Sequence, residues 1–209
     1  MMLTPDQIVA FLAAAMLITL SPGPDNLMVL SLGIARGRRH GMVFGLGCAL
    51  GCLSHTLLAA AGISALLAAS ATAFLALKLA GGLYLVWLGV QALRSHGRQW
   101  QGGGQGQQDG LAALFGKGLL ANAINPKVVL FFLAFLPQFI VADGGDIAWQ
   151  TLQLGVLFTL QAALLFGLLG YFSGYAGQWL MTTPRRSMWL DRIAGTVFVA
   201  LGLRLIFSR

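Results

Sequence analysis

The sequence contains no glutamate, only six aspartates, and no lysine or arginine before Arg36. Charged residues make up 9% of its 209 positions, whereas 57% are hydrophobic. A water-soluble domain carries about 25% charged residues, so this chain lacks the means to cover a core with a wetted surface. Its apolar stretches must face lipid, where each helical span needs about 20 residues. Cysteine is equally scarce. Cys48 and Cys52 lie four apart in one apolar segment, about one turn apart on the same face of a helix. That is not a disulfide framework and reads as a pair of small packing residues. No His/Cys/Asp group shows metal-ligand spacing, so no metal and no cofactor is expected. The acids other than Asp25 fall at span ends or in loops, so nothing composes a Ser-His-Asp set and an enzyme is not expected.

The net charge of +7 does not point to nucleic acid, because the basic residues sit in short clusters between apolar segments. Such clusters are topology signals. Met1 to Gln7 has one aspartate and no basic residue, which is not the positive start of a secretory signal. The first apolar segment is therefore expected to stay as a span. It runs from about Asp6 to Ala35 and is interrupted by Ser21-Pro22-Gly23-Pro24-Asp25-Asn26, where prolines break the helical ladder. No charge occurs from Gly41 to Leu77, enough for a second span, a turn near Ser64 to Thr72 and the start of a third that ends near Arg94. A Gly/Gln-rich linker follows, 95–110. The fourth segment, Leu111 to Ala142, is broken at Asn125-Pro126-Lys127. A fifth span lies in the uncharged stretch from Ile147 to Pro184, and a sixth runs from about Met188 to Phe207.

These segments predict an all-α membrane protein of six transmembrane helices, one domain over 1–209, with helices 1 and 4 broken. Placing both termini in the periplasm puts nine of the thirteen basic residues in cytoplasmic loops, as the positive-inside rule requires. The two breaks stand at matching depths in their segments. Lys78-Leu79-Ala80-Gly81-Gly82-Leu83-Tyr84 also has a counterpart in Arg192-Ile193-Ala194-Gly195-Thr196-Val197-Phe198. Half-repeats of about 1–94 and 111–209, three spans each, would lie in opposite orientations. This 3+3 inverted repeat is the plan of many secondary transporters, and paired breaks are the best sequence pointer to their site.

The expected substrate-binding residues are accordingly Pro22, Gly23, Pro24, Asp25 and Asn26 at one break and Asn125, Pro126 and Lys127 at the other. A broken helix frees carbonyls and amides that need partners in lipid, and an amino acid offers an ammonium for the first and a carboxylate for the second. An ionisable residue inside a membrane is costly and is by default functional. Asp25 is expected to hold an ammonium or carry a proton, and Lys127 to pair with a carboxylate or with Asp25. His55 stands alone among apolar residues. With a reference pKa near 6.5 it is the second proton-coupling candidate, unless it is a packing residue. Glycines at Gly41, Gly45, Gly47, Gly51, Gly170 and Gly174 give small faces for close helix packing, within the bundle or in a homo-oligomer.

Leu20-Ser21-Pro22-Gly23-Pro24-Asp25, followed by Gly37-Arg38-Arg39 and Gly41, resembles the N-terminal signature of the LysE/RhtB family of amino-acid exporters. His55 ahead of Leu57-Leu58-Ala59-Ala60 and Gly62 fits it too. So do Asn125-Pro126-Lys127 with Phe131 to Phe139, and Ala194-Gly195 through Gly202-Leu203-Arg204. The resemblance covers essentially the whole chain. It implies a homoserine/threonine efflux-like permease of the bacterial inner membrane, exporting amino acids or their derivatives at the expense of the proton gradient. The alternatives that composition leaves open are a passive channel or scaffold membrane protein, and an exporter of metal ions.

Overall fold

A computed structural model describes residues 3–21, 23–94, 109–141, 145–175 and 184–207. Pro22, Arg98, Asp143 and nearly all of the expected linker lie outside the described residues, as do the side chains of Arg185 and Arg186. Every regular element among the described residues is helical. Helix α1 covers Pro5–Leu20 and α2 covers Pro24–Arg36, followed by α3 (Arg38–Ala69) and α4 (Ala71–Leu93). Helix α5 is Leu111–Ala123, and α6 starts at Pro126–Leu130 and runs on through a π-helical turn, Phe131–Phe135, and a 3₁₀ turn, Leu136–Phe139. Helices α7 (Ile147–Tyr171) and α8 (Pro184–Phe207) follow.

The boundaries follow local chemistry. Thr4 and Gln7 form a reciprocal cap in front of Pro5, which satisfies two of the amides a helix start leaves free. Gly37 takes φ 92° between α2 and α3, a left-handed turn that favours glycine. Ser70 caps α4 through the Ala73 amide at 3.2 Å, inside the turn expected from Ser64 to Thr72. Asp146 caps α7 at 2.7 Å. Pro24 and Pro126 each stand in the first turn of their helix, where a proline costs no hydrogen bond.

Helices α3, α4 and α7 are long and apolar enough to cross a membrane, and α1–α2 and α5–α6 qualify as bent pairs, with angles of 58° and 47°. Three to five spans are thus accounted for. Helix α8, in the place of the expected sixth span, carries Asp191, Arg192 and Arg204 and is not among them. The outward faces are apolar: Leu57, Leu58, Leu83, Trp87, Leu160 and Leu164 are all exposed, as lipid contact requires.

Close glycine contacts fix the helix directions. Gly82 and Gly202 face one another across α4 and α8, as do Gly89 and Gly195, and a Cβ on any of the four would come within 2.6–2.7 Å of the facing helix. These two helices are therefore antiparallel. Gly170 lies against Gly41 and Met42, and Gly155 against Thr56, so α3 and α7 are antiparallel too. Gly47 meets Phe115 and Gly51 meets Leu119, which makes α3 and α5 parallel. The centre is filled by aromatic rings. Phe158 of α7 stacks 5.1 Å from Phe131 and 5.0 Å from Phe132, and Phe11 of α1 meets Phe139 edge-on at 5.3 Å. Such pairs add about 0.5–1.5 kcal/mol each beyond area burial, and they hold the α6 segment against α1 and α7.

Candidate functional site

The two breaks meet. Helix α1 ends at Leu20, and its last carbonyls have no partner within the helix. The Lys127 side chain, arriving from the second break, supplies one: Nζ donates to Ile18 O at 3.2 Å, to Ser21 O at 3.1 Å and to Ser21 Oγ at 3.4 Å. The Ser21 hydroxyl donates in turn to Ile18 O at 2.6 Å. Gly23 is the N-cap of α2 in ordinary extended backbone, and its lack of a side chain matters for space, because a Cβ there would sit 2.7 Å from Nζ. Asn26 ties α2 back to α1 through Nδ2 and Thr19 O, 2.8 Å.

Asp25, the second residue of α2, is 3% exposed, and Lys127 is 7% exposed. Both line one cavity, together with Thr19, Cys52 and Asn122 on its polar side and Phe131, Phe158 and Phe166 on its apolar side. A direct Asp25–Lys127 ion pair, one of the partnerships open on the sequence, is not what forms. A salt bridge does form at an exposed place, between Lys117 and Asp109. The Asp25 carboxylate instead accepts from Asn122 Nδ2 at 2.8 Å.

Asn122 is the residue that sequence reading missed. Its side-chain oxygen accepts from the Cys52 thiol at 3.4 Å, and its backbone oxygen bonds His55 Nε2 at 3.0 Å. A carbonyl only accepts, so Nε2 is the protonated nitrogen of the His55 ring. The same oxygen accepts from the Asn125 amide at 2.9 Å, and Asn125 Oδ1 caps the Lys127 amide at 3.0 Å. The available signal was a polar residue in the apolar run of α5, three before a break. Pro126 has its ring exposed and acts on the backbone alone, while Asn125 is buried. The buried atoms Asn26 Oδ1, Asn125 Nδ2 and Gln161 Oε1 have no hydrogen-bond partner among the described residues.

The cavity thus presents a carboxylate, an ammonium and an apolar wall, with the two charges held by neutral partners rather than by each other. Two opposite buried charges offset much of the cost that either would incur alone. The model of the LysE type translocator family matches residues 16–209, which includes both breaks. The chain belongs to the LysE-type translocators. It is therefore a membrane transporter and not an enzyme. The translocator is 33% identical over 202 residues to an uncharacterised membrane protein of Vibrio cholerae, covering 96% of each chain. It is 30% identical over 198 residues to the threonine efflux protein of Escherichia coli K12, covering 91% of this chain and 92% of that one. A leucine efflux protein of an Enterobacter species is 27% identical over 195 residues, covering 93% and 92%. No solved structure gives a significant match to the translocator.

Proposed function

We propose that this translocator exports amino acids or their derivatives across the bacterial inner membrane, by proton-coupled alternating access between two inverted three-span halves with both termini in the periplasm. The observation that carries the reading is the single cavity lined by Asp25 of the first break and Lys127 of the second. Opposite charges beside an apolar wall suit a zwitterion with a side chain. Asp25 receives the ammonium, or the proton when the substrate has left. Lys127 contributes positive charge toward the carboxylate, and Asn125 a spare Nδ2 donor. The inverted repeat is supported by the antiparallel pairing of α3 with α7 and of α4 with α8, the second and third spans of each half in this reading. His55, bonded to the freed carbonyl of Asn122, links the second break to proton movement. The relatives named for threonine and leucine efflux make those two amino acids the first substrates to try.

The test is export of labelled threonine and leucine from loaded proteoliposomes under an imposed pH gradient. Saturable, gradient-dependent efflux that is lost in Asp25→Asn supports the reading. Linear, gradient-independent leakage would instead identify a passive channel. His55→Gln should remove the pH dependence while folded protein remains, and an unchanged profile would assign His55 to packing.

A further inference from the structure

We propose that the C-terminal end of α1 is a site for a monovalent cation, and that Lys127 fills it as a tethered ammonium. The end of a helix is its negative pole, and carbonyls there must find donors when water is excluded. Three oxygens converge at this end: Ile18 O, Ser21 O and Ser21 Oγ lie 3.2, 3.1 and 3.4 Å from Nζ. A lysine ammonium has three N–H donors and no acceptor, so acceptors and donors match three for three. The Ser21 hydroxyl proton is spent on Ile18 O, which leaves its oxygen lone pairs for the ammonium. Match and burial together explain why Lys127 forms no ion pair with Asp25 in the same cavity.

The fit is close on the remaining side. A Cβ on Gly23 would stand 2.7 Å from Nζ and 3.3 Å from Cε, so the ammonium packs directly against the glycine. A planar guanidinium is a different shape and does not substitute. In transporters with broken helices, half-helix C-terminal ends and unwound carbonyls commonly coordinate the coupling cation. Here the opposite half supplies that cation covalently, so the site draws none from solution. Removing the side chain should open it to a small organic cation.

The readout is thermal unfolding of purified protein in detergent, so it stands or falls independently of what the translocator carries. Lys127→Ala lacks three carbons and the nitrogen, which n-propylammonium replaces. Its unfolding midpoint should rise with the logarithm of propylammonium concentration, as a site-specific ligand requires. Choline at equal ionic strength should not raise it, and the unsubstituted protein should respond to neither. A folded Lys127→Ala protein with the same response to both salts would overturn the proposal. A second measurement does not depend on that variant being recovered. Gly23→Ala should lower the midpoint clearly, whereas Gly62→Ala, whose Cβ meets nothing within 4 Å, should not. Equal midpoints for the two alanine variants would equally overturn it.

Discussion

The two breaks share a plan and differ in chemistry. Each places a proline in the first turn of the second helix and a charged residue next to that proline. At the first break the cap is Gly23, which offers no side-chain hydrogen bond, and the preceding carbonyls are left open. At the second the cap is Asn125, which satisfies the Lys127 amide from within. The first break is thus rich in acceptors and carries the acid, and the second is self-capped and carries the base. The difference shows that the two breaks are complementary rather than copies. The side chain of the second break completes the backbone of the first, and Asn122, just ahead of the second, completes the carboxylate of the first. A π-helical turn follows the second break, a feature frequent at functional sites.

The largest effect should come from removing the base. Lys127→Met leaves Asp25 as a buried charge with no opposite charge in its cavity and takes from Ser21 O the Nζ donor it has, so it should destabilise the protein by about 3–5 kcal/mol and abolish export. If complementarity is real, Asp25→Asn in the same chain should cost less than it does alone, because the double variant carries no unpaired charge. Chemical denaturation of the four proteins measures this coupling, and strict additivity would break the comparison. Asn122→Leu comes next. It takes the neutral donor from Asp25 and the acceptor from Cys52, and an unsatisfied buried group costs about 1–3 kcal/mol. Export should fall with it. An Asn122→Leu protein with native stability would show that Asp25 is held by something other than Asn122.

Much of this was legible in the sequence, for physical reasons. Prolines and long charge-free runs act locally, so the breaks, the turn at Ser70 and the starts of α5 and α7 fall where composition puts them. Asp25 and Lys127 stood out because a lone ionisable residue in an apolar run is expensive. What the sequence did not show was pairing. Asn122 joins Asp25, Cys52 and His55 across separations of 97, 70 and 67 residues, and nothing in a linear pattern encodes such partners. The sequence likewise left Lys127 a choice of anionic partners, whereas its ammonium rests on the Ser21 hydroxyl and on two backbone oxygens, which every residue possesses and no motif marks. The π-helical turn was also hidden, since Phe131 to Phe139 continues an ordinary apolar run.

Ser21→Ala sharpens the comparison at smaller scale. It deletes one of three acceptors around Nζ together with the hydroxyl donor to Ile18 O, while leaving both carbonyls in place. Each lost hydrogen bond is worth about 1 kcal/mol, so a fall in the unfolding midpoint smaller than that of Lys127→Met, with export retained, is expected. A loss as large as that of Lys127→Met would mean that Ser21, and not the carbonyl pair, holds the lysine.

The smallest effect should come from the other lysine of the same bent pair. Lys117 in α5 forms an ion pair with Asp109 at 2.7 Å, shorter than any contact Lys127 makes. Distance alone would rank it first. Exposure reverses the order, because the Lys117 side chain is 60% exposed and that of Asp109 24%. Water screens the attraction, solvates either ion when the pair breaks, and leaves the long side chain free to move, so exposed pairs contribute about 0–1 kcal/mol. Lys127 has no such recourse: its neighbours are backbone oxygens, a carboxylate and aromatic rings. Lys117→Met should therefore shift stability by less than about 1 kcal/mol, with export unchanged, and any small shift should shrink as salt is raised. The measurement is the unfolding midpoint at low and high sodium chloride beside a transport assay. A Lys117→Met protein as impaired as Lys127→Met would show that charge anywhere in this bent pair matters, and that the meeting of the two breaks does not set Lys127 apart.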